Sequence, residues 1–336
     1  MLETATRTQT SAIPLAPPRH AEIMSVAVKL PTGRITTDEL SQQLGVSTEW
    51  IVSRTGIRER RQAAPDERLA DYATAVAQSA LDRAGVEPAE VDLVVVATTT
   101  PDELQPNTAP LVADQLGTSN AGAFDIGSGC TGFVAALSMA TAQVETGRAE
   151  RVVVIGADFI TRINNYGDRR IGPLFADGAG AVVVGPAASG LIGPIVLGSD
   201  GSHAHTILVT NEERLIHMDG PEVFRHAVNR MGEATLQAVN RAGLTLEEID
   251  LFVYHQANAR ITRALGERLG LAPEKVVDCI EMIGNASAAT LPIALQTAID
   301  DGRLRPGLIV LLSAFGSGLT WGAGVVRWGG TEKDNG

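Results

Sequence analysis

Two stretches of the chain carry the same succession of apolar and polar positions. Ala80–Val96 reads ALDRAGVEPAEVDLVVV and Ala238–Tyr254 reads AVNRAGLTLEEIDLFVY. Each is the end of an amphipathic helix closed by a glycine (Gly85, Gly243), then a short acidic connection, then an apolar strand. The correspondence resumes further on with a small shift in register. Gly129–Ile155 (GCTGFVAALSMATAQVETGRAERVVVI) and Gly284–Val310 (GNASAATLPIALQTAIDDGRLRPGLIV) both give a glycine, a small-residue helix, a Gly-Arg turn and an apolar run. Apolar runs alternating with helices predict parallel strands covered on both faces, an α/β fold. Two linked matches in one order predict a chain written twice. The expected division is a loose tail over residues 1–20, a first half over 21–190 and a second half over 191–330.

The duplication predicts where chemistry gathers. It aligns Cys130 with Asn285, each directly after the glycine that opens a small-residue helix. It also aligns the loop after the Val94–Val96 strand with the loop that starts at His255. If the halves pack about a pseudo-twofold axis, a thiol, an imidazole and a carboxamide meet at the centre.

Composition narrows the class of function. The 336 residues are 44% hydrophobic and 20% charged, with a net charge of −12. That is a globular composition and argues against a nucleic-acid binder or an anionic-membrane binder. No run approaches a membrane span. Two cysteines supply no disulfide framework and suit a reducing cytoplasm. His203 and His205 have no clustered Cys or His near them in sequence, so no metal site is read there.

The glycine-flanked Cys130 is expected at a helix start, where free N–H groups and the dipole favour a thiolate. Cys279 lacks that setting and reads as structural. His255, in VYHQANARI, ends an apolar strand and by itself could satisfy only a local hydrogen bond. Asn285, in IGNASAATLP, could cap its helix. FGSGLTWGAG (Phe315–Gly324) follows an apolar strand and offers either oxyanion N–H donors or a hairpin turn. FADGAGAVVVG (Phe175–Gly185) has the wrong glycine spacing for a dinucleotide loop and leads into a strand.

With these motifs in order, the chain resembles the β-ketoacyl-[acyl-carrier-protein] synthase III family of the thiolase superfamily. The resemblance runs from about Ser25 to Trp328. It rests on TEWIVSRTGIRER (Thr48–Arg60), DIGSGCTGF, FADGAGA, MDGPEVFRHAV (Met218–Val228), YHQANARI, GNASAATLP and FGSGLTWG. It implies a thiolase-like five-layer αβαβα fold, a homodimer, no cofactor, and a Cys130–His255–Asn285 site. By the same resemblance an acyl-coenzyme A primer would acylate Cys130, and malonyl-acyl carrier protein would then condense with it. By resemblance the N–H groups of Cys130 and Ser317 form the oxyanion hole. Trp50, Arg54, Arg169 and Arg225 line the coenzyme A entrance, and Arg225 and Arg260 receive the carrier protein. Phe175 and Gln105 shape acyl pockets, Gln105 that of the partner subunit, where it replaces a frequent aromatic and predicts a primer other than acetyl. An acyltransferase of the same fold that serves an alcohol or amine is the rival; Asn285, which cannot accept a proton, favours condensation.

Overall fold

The computed structural model describes residues 19–118 and 120–329. The tail expected over 1–20 lies outside the described residues up to 18. At its end Arg19 donates from Nε to the Val144 carbonyl at 2.7 Å.

Ten strands form two five-stranded sheets. The first holds β1 (Ala21–Lys29), β2 (Leu93–Ala97), β3 (Gly122–Ile126), β4 (Val152–Phe159) and β5 (Asp177–Pro186), in the order β3-β2-β4-β5-β1. The second holds β6 (Leu191–Ser199), β7 (Leu251–Tyr254), β8 (Val276–Val277), β9 (Ile309–Gly316) and β10 (Thr320–Arg327), in the order β8-β7-β9-β10-β6. The two orders are the same. So is the succession of the helices that cover the sheets: α1 (Leu69–Ala84), α2 (Thr108–Leu116) and α3 (Gly132–Glu145) in the first half. The second half has α4 (Gly220–Arg241), α5 (Ala259–Leu269) and α6 (Thr290–Asp300).

The parallel pairing read from the sequence holds for β2, β3 and β4 and for β7, β8 and β9. It fails at the other side of each sheet, where β5 pairs antiparallel with β4 and β1, and β10 with β9 and β6. The reason is local: no crossover helix separates β4 from β5 or β9 from β10, so the chain can only double back.

Helices α3 and α6 lie between the sheets, with Val134, Leu137, Leu291 and Leu295 in one apolar interior with Val154 and Leu312. Val76 and Leu81 of α1 cover the outer face of the first sheet, and Met231 and Val239 of α4 that of the second. The result is the thiolase-like αβαβα stack. The starts of α1 and α2 are capped from elsewhere in the chain. Asp102 accepts the N–H groups of Leu69 and Ala70 at 3.1 and 3.0 Å, and Asp125 those of Thr108 and Ala109 at 2.9 and 2.7 Å. Such carboxylates satisfy orphan donors and complement the helix dipole.

The centre tolerates no bulk. A Cβ on Gly156 of β4 would stand 2.3 Å from the Ala288 carbonyl oxygen. Bare backbone therefore lets the turn before α6 dock onto the first sheet.

Candidate active site

Cys130 occupies the middle of a 3₁₀ turn, Gly129–Thr131, that runs directly into α3. Gly129 takes φ = 51° to make the turn, a conformation glycine adopts at no steric cost. The matching turn of the second half, Ser287–Ala289, runs directly into α6. By position in the turn, the counterpart of Cys130 is therefore Ala288. The alignment of Cys130 with Asn285 is off by three residues, because the second half inserts extra backbone between its glycine and its helix.

That extra backbone forms the site. Asn285 is pinned by its main chain, its N–H donating to the Leu174 carbonyl at 3.0 Å and its own carbonyl accepting from Ala176 N–H at 2.9 Å. Its Oδ1 accepts the Ser287 N–H at 2.9 Å, which assigns the amide orientation and leaves Nδ2 as a donor. Ser287 sits at φ = 50°, unusual for a residue with a side chain and a form of strain found at functional sites. There it donates from Oγ to Cys130 Sγ at 3.5 Å.

His255 follows β7 and is anchored by its N–H to the Ser313 carbonyl at 2.8 Å. Its Nδ1 lies 2.5 Å from Thr290 Oγ1. Burial pushes its pKa down to about 3, so the ring is neutral throughout the physiological range. The thiol moves the other way. Burial, with the nearby Asp158 adding to it and the Ser287 hydroxyl opposing, pushes Cys130 up to about 11. Burial thus works against the lowering expected from the helix start and favours the uncharged thiol. Cys279 has burial alone as its main influence, which pushes it up to about 12, and it packs against the core.

Cys130, His255, Asn285 and Ser317 line one cavity of about 1460 Å³. A Cβ on Gly316 would come within 2.8 Å of Cys130 N, so the Phe315–Gly318 segment presses on the backbone of Cys130. This segment ends β9 and enters the turn to the antiparallel β10, the hairpin that the glycine-rich run offered. The FADGAGA run continues into β5, a strand, as its spacing implied.

At the cavity's mouth the Arg54 guanidinium stacks 4.3 Å from the Trp50 ring centre, with Arg169 at 5.6 Å. Arg260 lies 5.6 Å from the Phe224 ring, and Phe175 also lines the wall. One expected residue lies elsewhere. Arg225 is outside the cavity lining, held to Glu222 at 3.1 Å. Gln105 is exposed and does not line this chain's cavity.

Sequence reading missed the support behind the site. Asp158 of β4, fully buried, accepts at Oδ1 from Thr99 N–H at 2.7 Å and from the hydroxyls of Thr98, Thr99 and Thr100, each at 3.1 Å. Its Oδ2 accepts Ala288 N–H at 3.2 Å, tying the second half's turn to the first half. Burial raises its pKa. An aspartate inside the apolar run VVVIGADF was the available signal.

A two-half αβαβα fold with a cysteine and a donor pair between the halves defines the class, a thiolase-fold enzyme. The models of the 3-oxoacyl-[acyl-carrier-protein] synthase III family match residues 124–201 and, for its C-terminal part, 239–328. The chain belongs to that family. It is 43% identical to the β-ketoacyl-[acyl-carrier-protein] synthase III of Symbiobacterium thermophilum, covering 93% of this chain and 99% of that one. Its structure matches the 3-oxoacyl-[acyl-carrier-protein] synthase III of Aquifex aeolicus with a TM-score of 0.89 at 40% identity, covering 92% of this chain and 100% of that one. It also matches the priming β-ketosynthase of the R1128 polyketide pathway with a TM-score of 0.91 at 35% identity, covering 95% and 99%.

Proposed function

We propose that this enzyme condenses an acyl-coenzyme A primer with malonyl-acyl carrier protein, releasing CO2, to initiate fatty-acid or polyketide synthesis. One observation carries the reading most. His255 and Asn285 each have one polar atom tied to the protein, while among the described residues His255 Nε2 and Asn285 Nδ2 have no protein partner. Both face the cavity that holds Cys130.

The primer's carbonyl oxygen takes the N–H groups of Cys130 and Ser317, which stabilise the charge of the tetrahedral intermediate. Cys130 sulfur bonds to the carbonyl carbon, the carbon–sulfur bond to coenzyme A breaks, and the thiol proton ends on the departing thiolate. The malonyl thioester then loses CO2, and the electron pair of the broken bond moves onto its thioester oxygen as an enolate. Asn285 Nδ2–H and His255 Nε2–H stabilise that oxygen. This role needs the ring proton on Nε2, so the single Thr290 hydroxyl proton, which has both His255 Nδ1 at 2.5 Å and the Ser287 carbonyl at 2.9 Å as acceptors, goes to Nδ1 in this step. The enolate carbon attacks the acyl-cysteine, and Cys130 leaves and regains one proton from solvent. Every step uses this chain's own groups, and coenzyme A and the carrier protein enter as substrates.

Trp50, Arg54 and Arg169 form the seat for the coenzyme A adenine, and Arg260 meets the acidic carrier protein. Both halves, 21–190 with the nucleophile and 191–330 with the donors, form one centre. The β3 strand is an unpaired sheet edge whose Phe124 is 38% exposed. A second copy paired along it would cover the edge, which supports a homodimer with Gln105 at the partner's pocket. No described helix is long and apolar enough to cross a membrane, and two free cysteines suit the reducing cytoplasm in which we place the enzyme. Intact-mass analysis with a panel of acyl-coenzyme A primers, then malonyl-carrier protein, tests the reading. Acylation followed by transfer only to alcohols or amines would reject it.

A further inference from the structure

Behind one wall of the cavity, the turn Gly201–Thr206 packs against the first turns of α4. Asp200 fixes the turn by accepting the Ser202 N–H at 3.1 Å. Glu222 and His226 stand four residues apart on α4 and so share a face. The His203 ring lies over that of His226, with centres 4.3 Å apart. The structure thus supplies His203 with partners that no neighbouring sequence announced.

Their ligating atoms converge. His203 Nδ1 is 3.4 Å and His226 Nε2 3.6 Å from the same oxygen, Glu222 Oε1. No two of the three ligand atoms are more than 4.8 Å apart. A tetrahedral cation with bonds of about 2.0–2.2 Å holds its ligand atoms roughly 3.3–3.6 Å apart. Two edges of that tetrahedron already fit, and a small rotation of one imidazole shortens the third. His203 Nδ1 is shielded from solvent and makes no hydrogen bond, a costly state for a polar atom unless its lone pair is used. His205 Nε2 stands 4.0 Å from Glu222 Oε2 on a side chain that is 68% exposed and free to swing inward. Arg225 is the competitor, its NH2 being 3.1 Å from Glu222 Oε1 and 3.5 Å from His226 Nε2. That side chain is 64% exposed, and a turn outward into solvent clears the space.

We propose that His203, Glu222 and His226 form a binding site for a divalent cation of the zinc type, with His205 or water as fourth ligand. Two imidazoles and one carboxylate suit zinc and disfavour magnesium and calcium, which prefer all-oxygen shells. The three ligands do not line the cavity, whereas Pro221, Val223 and Phe224 of the same helix start do. The ion's role is therefore structural: it clamps the Gly201–Thr206 turn to α4, holds that wall in place, and frees Arg225 from Glu222.

The test is equilibrium dialysis of the full-length protein against zinc chloride with metal counting, alongside the visible spectrum of the cobalt(II) form. One ion per chain is expected. Glu222→Gln, nearly isosteric, and His226→Val should each weaken binding by more than the roughly 10–100-fold that loss of an outer-shell partner causes. Zinc should raise the melting temperature of the wild type and leave that of Glu222→Gln unchanged. Cys130→Ala should bind as the wild type does, with no thiolate charge-transfer band in the cobalt form. A wild type that binds no zinc, or variants of Glu222 and His226 that bind it equally well, would overturn the proposal. Loss of binding in Cys130→Ala would also overturn it, by placing the ion in the catalytic cavity.

Discussion

The turns that open α3 and α6 have the same length and the same place in the topology, yet they do opposite work. Gly129–Thr131 bears a sulfur on minimal backbone. Ser287–Ala289 bears no reactive group itself and instead orients its neighbours: Asn285 through Ser287 N–H, and His255 through Thr290. Duplication supplied two equivalent helix starts at one centre. On the function proposed above, one of them carries the nucleophile and the other supports the donors, which would let acylation and decarboxylation be controlled by different residues.

The sharpest way to break this comparison is Cys130→Ala. It should abolish acyl-enzyme formation and condensation completely, as read by intact mass, while CO2 release from malonyl-carrier protein persists. Asn285→Ala and His255→Ala should do the reverse, retaining an acylated Cys130 while decarboxylation falls by ~10²–10³, the usual cost of a lost oxyanion donor. Full-rate condensation by Asn285→Ala would end the division of labour.

A subtler separation lies in pH. With His255 held near 3 by burial, decarboxylation by Cys130→Ala should show no loss of rate centred near the ordinary histidine value of 6.5 as pH falls. Alkylation of Cys130 in the wild type should climb as pH rises past the ordinary thiol value of 9.0, because burial favours the uncharged thiol. Thr290→Val removes the partner of His255 Nδ1 and should slow decarboxylation by roughly fivefold, the equivalent of about 1 kcal/mol for one hydrogen bond, with acylation unchanged. The smallest effects are expected at the rim. Arg260→Glu should raise KM for malonyl-carrier protein a few-fold, less so at high salt. Arg225→Glu should do less, since Arg225 is already paired with Glu222. In competition assays Gln105 should favour a primer larger or more polar than acetyl; strong acetyl preference would refute that reading.

Much of this was legible because the repeat preserves what backbone physics demands. Gly85 and Gly243 stop equivalent helices, and apolar runs mark β2, β4, β7 and β9. The glycines of DIGSGCTGF, GNASAATLP and FGSGLTWG mark where chain segments press together. Less legible were contacts made by ordinary residues across long separations. Nothing near Asp158 in sequence says that it gathers Thr98, Thr99 and Thr100, or that it reaches Ala288 across the interface between halves. The offset between Cys130 and Asn285 was hidden because a three-residue insertion leaves the small-residue pattern intact. Likewise His203 was without partners in sequence, since Glu222 and His226 reach it only when α4 folds beside its turn. Arg225 followed a motif, but helical phase, which motif order does not report, turned it away from the cavity.

The shared interior of α3 and α6 has a consequence for attempts to divide the chain. Val134 and Leu137 are buried among residues of both sheets, as are Leu291 and Leu295, so neither half retains a closed surface when the other is removed. A chain cut between Pro186 and Leu191 should give two aggregation-prone fragments that regain structure only when mixed. A protein made of a single half would have to close this face with a second molecule of itself, the pairing that the middle layer here makes within one chain.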